Sequence, residues 1–395
     1  MSRPGQDVIV AGAGLVGAAT ALGLARAGMR VAVIEPRRPA PWQADNPPDL
    51  RVFAISPASA DLLTQLEIWP AVLAARAQPY HRMQVWDAAA PQDSVTFHGE
   101  HAGASALGHI VEQSVIQSLL WQALEREPGI RLHCPAQIVA LHRQARGIEV
   151  ELDNGEHLHA RLLIGADGSA SPLRERLGIA TRGRDYGARG VVGYIQTAQS
   201  HENTAWQRFL PSGPLAVLPF TQGRSSIVWS LPENEAQRVL ALDDDAFANE
   251  LERAFAGRLG AMTPLSPRAG FPLRLKLAQR YAAERALLIG DAAHGVHPLA
   301  GQGVNLGFQD VAELLRLLPP AHAAGQDIGG DLLLSRYARR RRSETTLAAY
   351  AFDGIERLFG SDAVLPTLLR GPALGLVDRL PPLKRFFVRH ASGRR

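Results

Sequence analysis

A single cysteine, Cys134, occurs in the 395 residues, so no intramolecular disulfide can form and no cysteine cage for zinc or an iron–sulfur cluster can be built. A reducing compartment fits this usage. Charge is sparse and nearly balanced: 20% of residues are charged and the formal net charge is +4, against global disorder. The 37 glycines and 27 prolines are spread along the chain rather than periodic, which excludes collagen-like and low-complexity chains. One uncharged run, Val8 to Ala25, approaches the length of a membrane span, but Gly12, Gly14, Gly17 and Gly23 interrupt it. Asp7 precedes it where a signal peptide carries positive charge, so the run reads as part of a folded core. At about 100–200 residues per domain the length suggests roughly two domains.

What is present begins with a βαβ unit. Val8-Ile9-Val10 is short and β-branched, Leu15 to Ala27 is long and rich in Ala and Leu, Gly28 supplies a helix stop, and Arg30 to Glu35 is again strand-like. Two further apolar strands, Arg161 to Ile164 and Ala286 to Ile289, each run into a Gly/Asp turn and then a helical stretch. Between them Gly190 to Ile195, Trp206 to Leu210, Leu215 to Phe220 and Ser226 to Leu231 are short strands separated by Gly/Pro turns, as in an antiparallel sheet. The expected fold class is α/β: a Rossmann-like dinucleotide-binding domain over 1–80, 101–180 and 271–360, and an inserted β-rich substrate domain over 81–100 and 181–270. A helical, basic C-terminal region begins near Leu332 and continues through a segment at 361–395.

Gly12-Ala13-Gly14-Leu15-Val16-Gly17 is G-x-G-x-x-G between a strand and a helix. The first glycine makes the tight turn, the second lets a pyrophosphate approach the backbone, and the third lets helix pack on strand. Glu35 ends the next strand, where a carboxylate can accept both hydroxyls of an adenosine ribose. This pattern says adenine dinucleotide without choosing FAD or NAD. The choice comes from Asp167-Gly168 before Arg174, and from Gly290-Asp291 followed about ten residues later by Gly301-Gln302-Gly303-Val304-Asn305. A dehydrogenase has no evident need for such a second strand-end carboxylate.

On these motifs the sequence resembles the single-component flavin aromatic monooxygenases typified by para-hydroxybenzoate hydroxylase, and within them the ubiquinone-biosynthesis ring hydroxylases. The resemblance runs from Val8 to about Phe359, and DLRVFAIS (49–56), GHIVEQSVIQSLLW (108–121) and HPLAGQGVNLG (297–307) look like the ubiquinone subgroup. It implies FAD held by Gly12, Gly14, Leu15, Val16, Gly17, Glu35 and Asp167, and by Gly290, Asp291, Pro298, Gly301, Gly303, Val304 and Asn305. Asp291 would accept a ribityl hydroxyl, and the Val304 and Asn305 N–H groups would face the pyrimidine end of the flavin. A helix N-terminus there stabilises reduced flavin without an ionised side chain. Arg51 and Gln113 would touch the cofactor; an ordinary surface ion pair and a helix-capping amide are the alternatives. Asp167-Gly168 serves either cofactor-domain architecture or pyridine-nucleotide docking.

The implied reaction uses NAD(P)H as transient reductant and O₂ as co-substrate, through a C4a-hydroperoxyflavin, to hydroxylate a polyprenylated phenol. NADH is not separated from NADPH. Trp206, Phe209, Leu215, Val217, Leu218, Pro219 and Phe220 are candidates for the substrate wall, and equally what a sheet core would contain. No catalytic residue is assigned. His294 and His297, without further ligands, suit a structural or cofactor-shell role better than a metal site.

Arg336, Arg339 to Arg342 and the stretch Pro381 to Arg389 make the C-terminus basic. A solvated helix face with a frayed tail, an anionic membrane surface, and a partner in a quinone-synthesis assembly all fit, as does self-association. Nucleic acid does not, because no binding module accompanies the charge. The expected location is cytoplasmic, at most peripheral to the inner membrane. Rival functions are hydroxylation of a soluble aromatic acid, a non-catalytic FAD-binding scaffold and a plain NAD dehydrogenase. A flavin halogenase is disfavoured by the absence of Trp-x-Trp-x-Ile-Pro.

Overall fold

Gln6–Ala11 is a nearly fully buried strand because it has parallel neighbours on both sides, Val31–Ile34 and His157–Gly165. The computed structural model describes residues 5–88, 94–102, 105–144, 146–295, 303–359 and 393. The parallel strands run in the order Ala286–Leu288, His157–Gly165, Gln6–Ala11, Val31–Ile34, Ile130–His133, and Ile138–Gln144 and Gly147–Leu152 extend the sheet as a meander. From Gln6–Ala11 the chain passes to one side and later returns on the other. The carboxyl end of that strand is therefore the switch point at which open α/β sheets take ligands.

The helices are α1 Leu15–Arg26, α2 Pro57–Gln65, α3 Trp69–Arg76, α4 Gln113–Arg126, α5 Pro172–Arg176, α6 Glu233–Leu240, α7 Asp244–Ala254, α8 Gly303–Ala323 and α9 Asp331–Phe359. α1 packs between α4 and α8, and Val8, Leu22, Val33, Leu163 and Phe308 share one core with them. Each large apolar side chain buried there stabilises the fold by roughly 1.5–3 kcal/mol.

A second sheet of nine strands among the described residues runs from His294–Gly295 through Ala269–Ala278, Thr181–Thr197, Arg224–Pro232, Gly213–Pro219, Thr204–Leu210 and Arg82–Asp87 to Ser94–His98. Met262–Pro264 pairs with Thr181–Thr197 off this path, and only Thr204–Leu210 with Arg82–Asp87 is parallel. A three-stranded sheet, Val52–Ile55, Gly108–Glu112 and Ala77–Tyr80, lies against it.

Strand alternation sorts the residues proposed for a substrate wall. Leu215 and Val217 pack with Val239, Phe247 and Phe255 beneath α6 and α7, and Trp206 joins that core. Phe209 packs on Val85 and Phe97. Leu218 and Phe220 instead share a cluster with Ala54 and Ile110 of the three-stranded sheet. Period two thus sends Leu215 and Val217 away from any interlayer site.

The basic run on α9 is likewise divided by helical period. Tyr337, Arg341 and Thr345 are buried, whereas Arg336, Arg339, Arg340 and Arg342 are exposed. Arg341 is thus no part of a solvated basic face: its spacing from Tyr337 and Thr345 turns it inward onto α8. The expected basic segment 361–395 lies outside the described residues except for Gly393.

Candidate functional site

The glycine loop closes the switch point. Gly12 has φ +96°, and a Cβ there would stand 2.5 Å from Ala166 O. A Cβ at Gly17 would stand 2.0 Å from Gly12 O, so only glycine lets α1 seat on the loop. Gly14, the N-cap of α1, faces open space and makes no side-chain cap. The first-turn N–H groups of α1 are therefore offered to a ligand, as pyrophosphate binding requires.

Leu15 is buried, and Val16 reaches from α1 to the third motif. Its Cγ2 would be 2.4 Å from a Cβ at Gly307, and its methyl groups 3.3 Å from one at Gly290. Val16 thus occupies space that two glycines leave free, and Gly307 is a site residue that sequence reasoning passed over. Glu35 Oε2 accepts the Ala13 N–H at 2.6 Å and Oε1 accepts Arg37 N–H at 3.2 Å, so its carboxylate braces the loop it was expected to complement. Gln117 was also missed: its Nε2 donates to Ala13 O at 2.7 Å. Its position four residues after Gln113, on the same face of α4, was the available signal.

Asp167 does not present a free carboxylate. It accepts from Ser171 Oγ at 2.5 Å and Leu173 N at 2.9 Å, bracing the first turn of α5, whose N-cap is Ser171. The structure thereby favours the architectural alternative. Arg174, buried, donates to Ser169 O and Ala292 O, each at 2.9 Å, and ties this loop to the Gly290-Asp291 turn. Gly290 has φ +54°. Asp291 is exposed, and among the described residues its carboxylate takes no hydrogen bond.

Helix α8 begins at Gly303, where a Cβ would meet none of the described residues, and continues through buried Val304 and Asn305. The Asn305 side chain accepts from Ser56 N at 3.0 Å and Ser59 Oγ at 2.7 Å and donates to Ala54 O at 2.8 Å. Its amide therefore locks the first turn of α8 to the strand and helix around Ser56. Pro298 and Gly301, with His297 and Gln302, lie outside the described residues.

Arg51 and Gln113 meet through their backbones, Gln113 N donating to Arg51 O at 2.9 Å. Asp49 supports both segments, accepting from Arg51 N at 3.0 Å and Ser114 N at 3.2 Å, while its own N–H bonds Glu112 Oε1 at 2.8 Å. The Arg51 guanidinium is exposed, 5.6 Å from the Phe53 ring, with no ion pair among the described residues. The cap of α4 is Glu112, whose side chain bonds no N–H of that helix, so Gln113 is not a capping amide. No group of three or more His, Cys, Asp or Glu able to hold a metal occurs among the described residues.

Among the described residues, the uncapped N-terminus of α1 after Gly14, an unbonded carboxylate at Asp291 and space beside Gly303 fit a flavin dinucleotide laid from the glycine loop to the start of α8. The fold is that of a dinucleotide-binding α/β protein with a second, mostly antiparallel sheet, and the family and relatives make it an FAD-dependent monooxygenase. A sequence profile described as "FAD binding domain" matches residues 6–349, and the chain belongs to that family. It is 37% identical over 393 residues to 3-demethoxyubiquinol 3-hydroxylase of Escherichia coli strain K12, covering 100% of both chains. It is 38% identical over 388 residues to ubiquinone hydroxylase UbiL of Rhodospirillum rubrum, covering 98% of this chain and 89% of that one. The structure of p-nitrophenol 4-monooxygenase PnpA from Pseudomonas putida superposes with a TM-score of 0.78 over 99% of each chain at 18% identity, a likeness of fold.

Proposed function

We propose that this protein hydroxylates the aromatic ring of a polyprenylated phenol or quinol in ubiquinone biosynthesis, with NAD(P)H as reductant and O₂ as co-substrate. The observation that carries the reading is the convergence of the first glycine motif, through Val16, with Gly290 and Gly307 of the third, in a chain alike over its full length to ubiquinone-ring hydroxylases. FAD, when bound, supplies the oxygen chemistry.

The chain's own residues do the rest. The N–H groups after Gly14 take the pyrophosphate, Glu35 the adenosine ribose and Asp291 a ribityl hydroxyl. Arg51 and Gln113 flank the flavin from the strap that Asp49 holds. Backbone N–H groups of Val304 and Asn305 stabilise negative charge at the pyrimidine edge. The nine-stranded sheet forms the substrate layer over the cofactor domain; it takes in not only strands within 81–100 and 181–270 but also 271–278 and 294–295, which the sequence-based division assigns to the cofactor domain of 1–80, 101–180 and 271–360. Its seam with the three-stranded sheet holds a cavity of about 20 Å³ lined by Tyr80, Met83, Ile110, Gln207 and Leu218, room for about one water and too small for an aromatic ring.

Among the described residues no helix is long and apolar enough to cross a membrane. The exposed α9 residues Arg336, Arg339, Arg340 and Arg342, between Leu332 at 89% and Leu347 at 64% exposure, are the proposed contact with an anionic membrane surface that carries the prenylated substrate.

The deciding experiment is mass spectrometry of quinone-pathway lipids in a strain lacking the protein and in its complemented counterpart. A prenylated phenol one ring oxygen short should accumulate while ubiquinone falls. An unchanged lipid profile, with tightly coupled turnover of small phenolic acids by the purified enzyme, would instead assign a soluble aromatic acid. FAD binding without turnover of either would leave a scaffold.

A further inference from the structure

Behind the turn that carries Asp291 lies a buried cluster of charges. Asp310 of α8 is fully buried, and its two oxygens serve three partners. Oδ2 accepts the Gly290 N–H at 2.8 Å and stands 2.6 Å from His294 Nε2, and Oδ1 accepts from Arg341 Nε at 2.5 Å. Arg341, 2% exposed, comes from α9 and also donates to Leu306 O at 3.1 Å, Gln309 Oε1 at 3.4 Å and the Glu344 carboxylate. Burial opposes ionisation of Asp310, yet His294 and Arg341 hold its carboxyl below the usual range.

Packing α9 on α8 does not require this arrangement. An apolar pair of similar volume commonly holds two elements together as well as a buried ion pair, or better. The bond an apolar pair could not make is the one to Gly290, the residue before Asp291. A carboxylate on α8 that grips this N–H fixes two parts of the site to each other: the Gly290-Asp291 turn and the helix that begins with Val304 and Asn305.

We propose that Asp310 is a positioning residue for the flavin, holding the Asp291 turn in register with α8, and that Arg341 of α9 aims its carboxylate. The inference rests on the reading that this site binds FAD. Its consequence is that α9 is built into the cofactor site instead of trailing from it.

The test compares two double variants as apoproteins. Asp310→Leu with Arg341→Met removes the acceptor for Gly290 N–H and both members of the Asp310–Arg341 ion pair at similar volume, and it leaves the His294 imidazole without its carboxylate partner. It should still melt in one cooperative transition but bind FAD at least about ten-fold more weakly, read by quenching of flavin fluorescence, as when a supporting hydrogen bond behind a ligand is lost. Asp310→Asn with Arg341→Met restores an acceptor oxygen and should regain most of that affinity. Wild-type affinity in the folded Leu/Met variant, or equal weakness in both variants, would overturn the proposal.

A second measurement stands even if the Leu/Met variant does not fold. On adding FAD to the wild-type apoprotein, hydrogen exchange should slow at residues 337–345 of α9 as well as at 12–17 and 290–295. Protection at the loop and turn with none on α9 would overturn it too. Wild-type apoprotein that takes up no FAD would defeat the cofactor reading itself, a distinguishable result.

Discussion

Asp291 and Asp167 are both strand-end carboxylates, and their surroundings assign them opposite tasks. Asp167 is committed to Ser171 and Leu173, whereas Asp291 is exposed and unbonded among the described residues. Asp291 has all its acceptor sites open to a ligand hydroxyl, whereas those of Asp167 are partly taken up in bracing α5. A hydrogen bond to a charged group contributes about 1.5–3 kcal/mol. Asp291→Ala is therefore expected to weaken FAD binding by roughly ten- to a hundred-fold, seen as a fall in the ratio of flavin to protein absorbance after purification. Unchanged cofactor content would contradict the role.

At the scale of elements, helix ends and helix faces do the work. α1 and α8 each bring an N-terminus to the same region, and Asn305 pins the second with three hydrogen bonds. α9 has two unlike faces: Tyr337, Arg341 and Thr345 inward, Arg336, Arg339 and Arg342 outward. Each basic residue near an anionic bilayer contributes about 1 kcal/mol, screened by salt. The protein should therefore sediment with vesicles containing phosphatidylglycerol at low salt and not with pure phosphatidylcholine vesicles. Charge reversal of Arg336, Arg339 and Arg342 to Glu should abolish the difference without changing FAD content. Equal binding of wild type to both vesicle types would remove α9 as a membrane contact.

For the whole molecule, stability is expected to vary with pH through histidines buried or half-buried in different parts of the structure. Burial lowers the imidazole pKa of His109, aided by His81; of His133, against the attraction of Glu156; and of His201, against its bond to Phe220 O. In the unfolded chain these groups take up protons near pH 6.5. Above that value both states are neutral and the full stability is present. As pH falls from about 6.5 towards the lowered folded values, the unfolded state binds more protons and stability declines, by as much as about 1.4 kcal/mol per pH unit for each group. Melting temperature should thus drop between pH 7.5 and 5 at constant ionic strength; a flat profile would show that these histidines are not held neutral.

The local chemistry was legible from the chain alone. A tight turn, a close approach and a helix N-terminus depend on residues within one βαβ unit, so Gly12, Gly14, Gly17 and the strands around them could be read in order, and the period-two runs announced the antiparallel sheet. What only tertiary structure decided are contacts between segments far apart in sequence. Val16 fills the space left by Gly290 and Gly307, Asn305 grips Ala54 and Ser56, Gln117 braces Ala13, and Arg341 turns inward to Asp310. Periodicity tells which residues share a face but not which neighbour that face will meet. An arginine on a basic helix reads as solvated until a buried carboxylate is found opposite it. The physical reason is that turn geometry is local, whereas desolvation and packing are properties of the assembled core.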